Sequence, residues 1–379
     1  MRIYLIILFI TIACLSLFAE SKAQLFPVPK RPYKPLRGYE CHYAKGEIVI
    51  DGLLNEKSWK DCFWSSPFVD IVSDSMPKPR YETKIKMLRD NDFFYIGAEM
   101  EEPDLWATLT QRDAVIFHDN DFEVFIDPDG DTHNYYELEI NALNTVWDLM
   151  LLKPYRDGDK VAVNSWDIKG LKTAVHLNGT LNNPNDKDQG WTVEIAIPWV
   201  SLCELQHNTP PQFFEEWRIN FSRVEWKHNV KNGKYVKATD TKGNPLPEDN
   251  WVWSQQGLVN MHYPEMWGNV KFLMPEYVIQ DYAEWYFVDP VIKNHLRLIY
   301  YAEKEFYLEN HKYNPSPIVD IRSVYTKSLD DYFKITNPPV IETTSRTYIA
   351  HISFKGDYLG EKRTWYINNE GKIWLEITK

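Results

Sequence analysis

Three sets of side chains in this 379-residue sequence have the types and spacing to do chemistry. The densest lies in residues 113–141, DAVIFHDNDFEVFIDPDGDTHNYYELEIN. Glu137 and Glu139 alternate with apolar residues, as does Glu123 earlier in the stretch, which is the period of a β-strand. A carboxylate on such a face can accept two sugar hydroxyls, and Glu123 is the candidate for that role. Glu123 with Glu137 or Glu139 would also supply the carboxylate pair of a glycoside hydrolase, about 5 Å apart for retention or about 6.5–9.5 Å for inversion. A solvated strand face is the simpler reading of the pair.

The second set is Asp127, Asp129 and Asp131 around Gly130. Hard oxygen donors at alternate positions suit Ca2+, although the Gly and distal Glu of an EF-hand are missing. An ordinary hairpin turn is the simpler reading of them, and Asp119 and Asp121 are similar candidates. The third set is aromatic and basic. Trp106 follows an acidic run, Trp267 sits in PEMWG, and Trp226 shares strand parity with Asn220, whereas Arg223 has the opposite parity. A flat π face packs on the C–H groups of a pyranose ring. Arg112 could fork onto vicinal hydroxyls, or pair with Asp113 or Asp121. Trp59, Trp147, Trp166, Trp191, Trp199, Trp251 and Trp253 read as core. Met150 and His176 are the axial ligands a haem-binding sandwich would need, and they form no persuasive pair.

These side chains need strands to hold them. Phe122, Val124 and Ile126 alternate with Glu123, Phe125 and Asp127, and Tyr136, Leu138 and Ile140 with Tyr135, Glu137 and Glu139. Asp127-Pro-Asp-Gly-Asp131 is turn chemistry between two arms. The resulting hairpin has one apolar face for burial and one polar, aromatic face expected to stay open. Further strands are expected at residues 47–50, 83–88, 92–100, 147–152, 166–172, 174–178, 191–197, 218–226, 250–254 and 261–272. Short helices are expected near 56–63 and 199–205, and a charged mobile loop at 229–250. Strands at this spacing without a long amphipathic helix predict a mainly β protein, a β-sandwich of about ten strands. After Pro275 helices at 277–286 and 290–310, then strands at 348–354, 362–367 and 372–377, predict a C-terminal α+β module.

In residues 1–23 one basic residue precedes an apolar run, and small residues end at Ala23, the pattern of a secretory signal peptide cut after Ala23. Lipid attachment at Cys14 is the weaker reading, because Thr11 stands three residues before it. Residues 24–40 are a Pro-rich lead-in, 41–274 the sandwich and 275–379 the C-terminal module. The net charge is −12, and removal of the net +1 of residues 1–23 leaves −13. That acidity disfavours nucleic acid as a partner, and no later apolar run is long enough to span a membrane. Of the three remaining cysteines, Cys62 reads as a buried free thiol, while Cys41 and Cys203 are a possible disulfide.

Six ordered segments then carry a resemblance: IDGLLNEKSW (50–59), YIGAEMEEPDLWA (95–107), DNDFEVFIDPDGD (119–131), WTVEIAIPW (191–199), RINFSRVEW (218–226), and NWVWSQQG with MHYPEMWGNVKF (250–272). Over residues 41–272 the chain resembles family 9 carbohydrate-binding modules. The resemblance implies a β-sandwich, often with structural Ca2+, that holds a polysaccharide or oligosaccharide in an aromatic slot and serves polysaccharide breakdown. It places one slot aromatic at Phe117, six residues before the acid Glu123, and a hydroxyl-binding amide at Asn220. Arg223 stands where a second aromatic would help, so Trp226 or Trp267 is the candidate replacement.

Overall fold

The computed structural model describes residues 26–29, 36–202, 204, 210–212, 215–273, 285–316, 339–355 and 361–378. It divides into two compact units, residues 29–280, and residues 281–379 together with 1–28. Residues 1–23, including Ala23, lie outside the described residues, as do Cys203 and most of 277–286.

The first unit is built from β1 (Gly38–Tyr43), β2 (Val69–Asp70), β3 (Thr83–Arg89), β4 (Phe93–Glu101), β5 (Asp121–Asp127), β6 (Tyr135–Asn141) and β7 (Val146–Leu151). It continues with β8 (Ala162–Val163), β9 (Lys172–Asn178), β10 (Gly190–Pro198), β11 (Glu216–Glu225), β12 (His228–Lys231), β13 (Lys234–Lys237), β14 (Asp249–Val252) and β15 (Gly268–Phe272). Eleven strands follow one curled path, β8-β7-β6-β5-β11-β15-β1-β3-β4-β10-β9, with β14 branching from β11 and carrying β2. The path turns into two layers at β1. Gly38–Cys41 run parallel to β15, and His42 and Tyr43 run parallel to β3. One strand therefore belongs to both sheets of the expected sandwich.

The apolar positions read from the sequence meet between these layers. Phe122, Val124, Ile126, Leu138, Ile140, Ile219 and Phe221 face Ile85, Met87, Ile96, Val193 and Ile195 in one buried cluster. Trp199 closes one part of it, stacked on Phe94 and edge-on to Trp217 and Phe272. The IDG…SW segment has its own mechanical reason. A carboxylate oxygen of Glu194 accepts the Asp51 and Gly52 N–H groups at 2.9 and 2.7 Å, and its other oxygen accepts Trp59 Nε1 at 2.6 Å. Gly52 has φ +87, and a Cβ there would stand 2.7 Å from the His176 amide nitrogen. Trp59 is the fully buried plug expected of it, beside the short helix α1 (Lys57–Asp61) that contains it.

Three expectations change. Residues 47–50 and 166–171 are not strands. Residues 229–250 are not simply a loop, because β12 and β13 form a hairpin there. Its two-residue turn is Asn232-Gly233, with φ 53 and 71, the pair that a type I′ turn requires. The polar face of the β5–β6 hairpin is not open either, since every residue of both strands is buried. A second apolar cluster, including Phe125, Tyr135, Leu149, Ile71, Met261 and Trp267, roofs part of that face. Cys41 is a fully buried free thiol; Cys62 is also free but only half-buried, its Sγ 3.2 Å from the Tyr39 hydroxyl.

In the second unit α2 (Trp285–Asn310) packs on a four-stranded antiparallel sheet, β16 (Val340–Thr343), β17 (Tyr348–Lys355), β18 (Lys362–Asn368) and β19 (Ile373–Thr378). Ile292, Leu296, Ile299 and Tyr300 of the predicted stripe are buried. Asp289 accepts Arg363 Nη2 and Trp365 Nε1, both at 2.7 Å, which pins the start of the helix to β18. Phe26 of the Pro-rich lead-in lies edge-on to Tyr300, 5.8 Å between ring centroids. No helix among the described residues is long and apolar enough to cross a membrane.

Candidate functional site

The outer face of the β11-β5-β6-β7 sheet carries two rows of side chains. Strand register puts Ser222, Glu123, Glu139 and Trp147 side by side, and next to them Asn220, Phe125, Glu137 and Leu149. Where the apolar roof stops, a cavity of about 380 Å³ remains over this face. Glu123, Glu137, Glu139 and Phe125 form its floor. Phe117, Trp147 and Tyr155 are its aromatic walls, and Glu248, Asn250, Asn260 and His262 bring polar groups to its rim. The pairing Glu123 to Glu139 is direct, so two carboxylates face each other across the hairpin.

Phe117 belongs to a 3-10 turn, Ile116–His118, that is fastened at both ends of its peptide unit. Its N–H donates to Glu139 Oε2 at 2.9 Å, and its carbonyl accepts Trp226 Nε1 at 2.8 Å. A floor carboxylate thus positions a wall aromatic. Tyr155 and Val259 stay exposed at the mouth.

The electrostatics follow from burial. Desolvation pushes Glu123 up from an ordinary 4.5 to about 7, with Glu248 adding to the rise and the Ser222 hydroxyl opposing it. Glu137 and Glu139 are also pushed well up by burial, then by the charge of Glu123. Asp121, at the inner end of the row, is raised by burial and by Glu123. Its Oδ1 accepts the Val224 N–H at 3.2 Å, while its buried Oδ2 has no hydrogen-bond partner among the described residues. One ligand oxygen each from Asp121, Glu123 and Glu139 lie within 4.8 Å of one another. His262 goes the other way, down to about 3, because it is buried and faces the Arg156 charge. It is a neutral group whose Nδ1 meets the Tyr135 hydroxyl at 2.9 Å.

Of the residues predicted to bind ligand, Phe117 and Glu123 converge on the cavity and the others do not line it, while Glu137 and Glu139, read as partners of Glu123 in a carboxylate pair, do. Asn220 is fully buried, and its amide exchanges two 2.8 Å hydrogen bonds with the Ser254 backbone, so it holds a loop. Arg223 is 1 % exposed and pairs with Glu102 and Glu225, both at 2.9 Å, on the opposite side of the sheet. Arg112 is held by Asp148, Asp167 and Asp113. Trp267 is fully buried in the apolar roof beside the cavity, 5.5 Å from Phe125 and donating Nε1 to Met261 O. Trp106 and Trp226 form a neighbouring cluster with Tyr235 and Val224, against which Phe117 packs. These two support the wall without reaching the cavity.

Sequence reasoning missed Tyr155, Glu248, Asn260 and His262 as lining residues, and it assigned Trp147 to the core. Strand parity could have found Trp147, which stands opposite Glu139. The other four lie outside the long strands, where periodicity gives no signal. Met150 and His176 do not line the cavity, and His176 Nε2 meets Asn178 Oδ1 at 3.2 Å. Asp127, Asp129 and Asp131 do come together, each offering an oxygen within 4.8 Å of the others. Asp127 also accepts the Gly130 and Thr132 N–H groups at 3.0 and 2.9 Å, which shapes the turn.

A β-sandwich with a preformed, aromatic-walled cavity on one sheet face is the frame of a ligand-binding module. Residues 50–273 match the model of the carbohydrate family 9 binding domain-like family, and the chain belongs to that family. Among solved structures, a family 9 carbohydrate-binding module from Caldicellulosiruptor kristjanssonii in complex with cellotriose is similar, at 17 % identity and TM-score 0.41, covering 65 % of this chain and all of that one. The same organism's module in complex with glucose is similar at 16 % identity and TM-score 0.41, covering 64 % of this chain and all of that one. A Bacteroides uniformis protein named as carbohydrate-binding aligns at 16 % identity and TM-score 0.46, over 63 % of this chain and all of that one. The search of curated proteins gives no match.

Proposed function

We propose that the first unit binds carbohydrate in the cavity over β5 and β6. The observation that carries this reading is the convergence of Phe117, Trp147 and Tyr155 with three strand carboxylates on one cavity of about 380 Å³, room for one or two sugar rings. Aromatic faces would take the apolar side of a pyranose while Glu123 and Glu137 accept its hydroxyls. Family membership supports the same reading, as do the cellotriose and glucose bound by the Caldicellulosiruptor modules. Secretion through residues 1–23 and a place beside enzymes that break down polysaccharides complete the proposal.

Hydrolysis is less well supported by the same geometry. A retaining mechanism needs one carboxylate ionised as nucleophile beside a protonated acid. Burial and mutual repulsion raise all of these carboxyls together, and among the described residues no Lys or Arg lines the cavity to hold one ionised.

The calcium expectation attaches to Asp127, Asp129 and Asp131. Their donor set is hard oxygen, and the Asp127 carboxyl is raised by burial and then by the charges of Asp129 and Asp131, a repulsion that a divalent cation would relieve.

Calorimetric titration with cello- and xylo-oligosaccharides tests the binding reading. Affinity is expected between micromolar and millimolar. Phe117→Ala should weaken it roughly fivefold, about 1 kcal/mol for a lost aromatic platform, with little change in melting temperature. Equal binding by the variant would remove Phe117 from the site, and no binding of any glycan by the wild type would end the proposal.

A further inference from the structure

A sugar pocket that serves neutral glycans can mix acids, amides and bases among its polar groups. This one has two amides, Asn250 and Asn260, and a neutral imidazole, His262, only at its rim. Its floor is three carboxylates, a fourth acid, Glu248, stands at the rim, and no Lys or Arg lines it among the described residues. Like charges directly opposite in a sheet destabilise it, and Glu123 with Glu139 is such a pair. A second observation lies just behind them. Asp121 is wholly buried, yet its Oδ2 has no hydrogen-bond partner among the described residues, and Asp121, Glu123 and Glu139 bring oxygens within 4.8 Å of one another.

The surrounding charges do not cancel this concentration. Arg156, beside Tyr155, is committed to Asp157 and Glu265, with Nη2 to a Glu265 oxygen at 3.0 Å. Lys237 lies over the Trp226 ring, in the field of Asp119 and Glu248 and off the cavity lining. His262 is held neutral by burial and the Arg156 charge, so it brings no positive charge.

Building on the carbohydrate reading above, we propose that the cavity is selective for amino sugars, pyranose units carrying a protonated amine. The ammonium would sit among Glu123, Glu137 and Glu139, and the ring would lie against the aromatic walls. An ammonium donates three hydrogen bonds and answers the charge of the floor. Phe117, Trp147 and Tyr155 favour the same ligand, because aromatic faces attract cations as well as C–H groups. A neutral sugar satisfies the hydrogen bonds but leaves the raised carboxyls holding their protons, whereas an ammonium lets them ionise. A cavity of this size with aromatic walls fits an organic ammonium better than a bare metal ion.

The test is calorimetric titration of the full chain at about pH 6, where a sugar amine is protonated. The ligands are a glucosamine trisaccharide, its fully N-acetylated counterpart and cellotriose, each with and without Ca2+. The glucosamine trisaccharide should bind at least about tenfold more tightly than either neutral ligand. Repetition in buffers of different ionisation enthalpy should show protons released on binding. Glu137→Gln should shrink the preference several-fold, because the amine loses more affinity than cellotriose does. Cellotriose bound as tightly as the amine, or more so, would overturn the amino-sugar proposal and leave the carbohydrate reading standing. Neutral-glycan binding that appears only with Ca2+, and still does so in Asp127→Asn, would overturn it in favour of a metal at Asp121, Glu123 and Glu139. Failure of all three ligands would remove both readings.

Discussion

The first unit buries carboxylates in two different ways. Glu194 sits among three donors, the Asp51 and Gly52 N–H groups and Trp59 Nε1. Glu102 and Glu225 share Arg223, whose other nitrogen donates to Glu101 O and Thr83 Oγ1. Each of these acids is matched from within the chain, and each holds elements together. The floor of the cavity is different. Glu139 accepts one backbone N–H, from Phe117, and Glu123 and Glu137 face space that a ligand can enter. The comparison separates acids that build the sandwich from acids that wait for something outside it, because a buried charge must find a partner, a proton or a ligand.

Removing the partner on the matched side should have the largest effect. Arg223→Met would strand Glu102 and leave Glu225 with only the more distant Arg80, 3.9 Å away, and breaking a buried pair in this way costs about 3–5 kcal/mol. Chemical denaturation should register that loss, and a variant as stable as the wild type would mean that the pair contributes nothing.

On the unmatched side a similar deletion should act with the opposite sign. Burial raises Glu123 from an ordinary 4.5 to about 7, so the folded state holds this proton more tightly than the unfolded chain. Its contribution is fully present below about 4.5 and is lost as pH rises through about 7. Glu123→Gln cannot titrate and should therefore be more stable than the wild type at about pH 8, by on the order of 2–3 kcal/mol, with a flatter pH profile. A variant that loses stability at that pH would show that Glu123 is matched after all.

Asp127, Asp129 and Asp131 stand between the two cases, since backbone N–H groups already engage them while their charges still repel. The effect expected there is the smallest. Added Ca2+ should raise the melting temperature by a few degrees over a chelated sample, on the order of 1–2 kcal/mol of linkage, and Asp127→Asn should abolish the difference. Identical melts would leave the cluster a turn.

The same contrast explains what was legible in the sequence. Alternation of Phe122, Val124 and Ile126 with Glu123 and Phe125 fixes which side of the hairpin enters the core, and the structure agrees. Parity cannot say what covers the other side. Asn220 stands beside Phe125 on the cavity face and is still lost to binding, because the Ser254 segment, distant in sequence, folds over it. The many tryptophans misled in the same way. Trp267 on a turn and Trp106 after an acidic run look like exposed platforms, and both are sealed by segments that no local pattern predicts. The β12–β13 hairpin was readable from Asn232-Gly233, but the surrounding lysines made a loop the easier reading.

A crystal structure of the protein with a bound oligosaccharide tests the central claim most directly. The account predicts a sugar ring against Phe117, with its polar groups within hydrogen-bond reach of Glu123 or Glu137. A ring bound elsewhere on the sandwich, with that cavity empty, would contradict it.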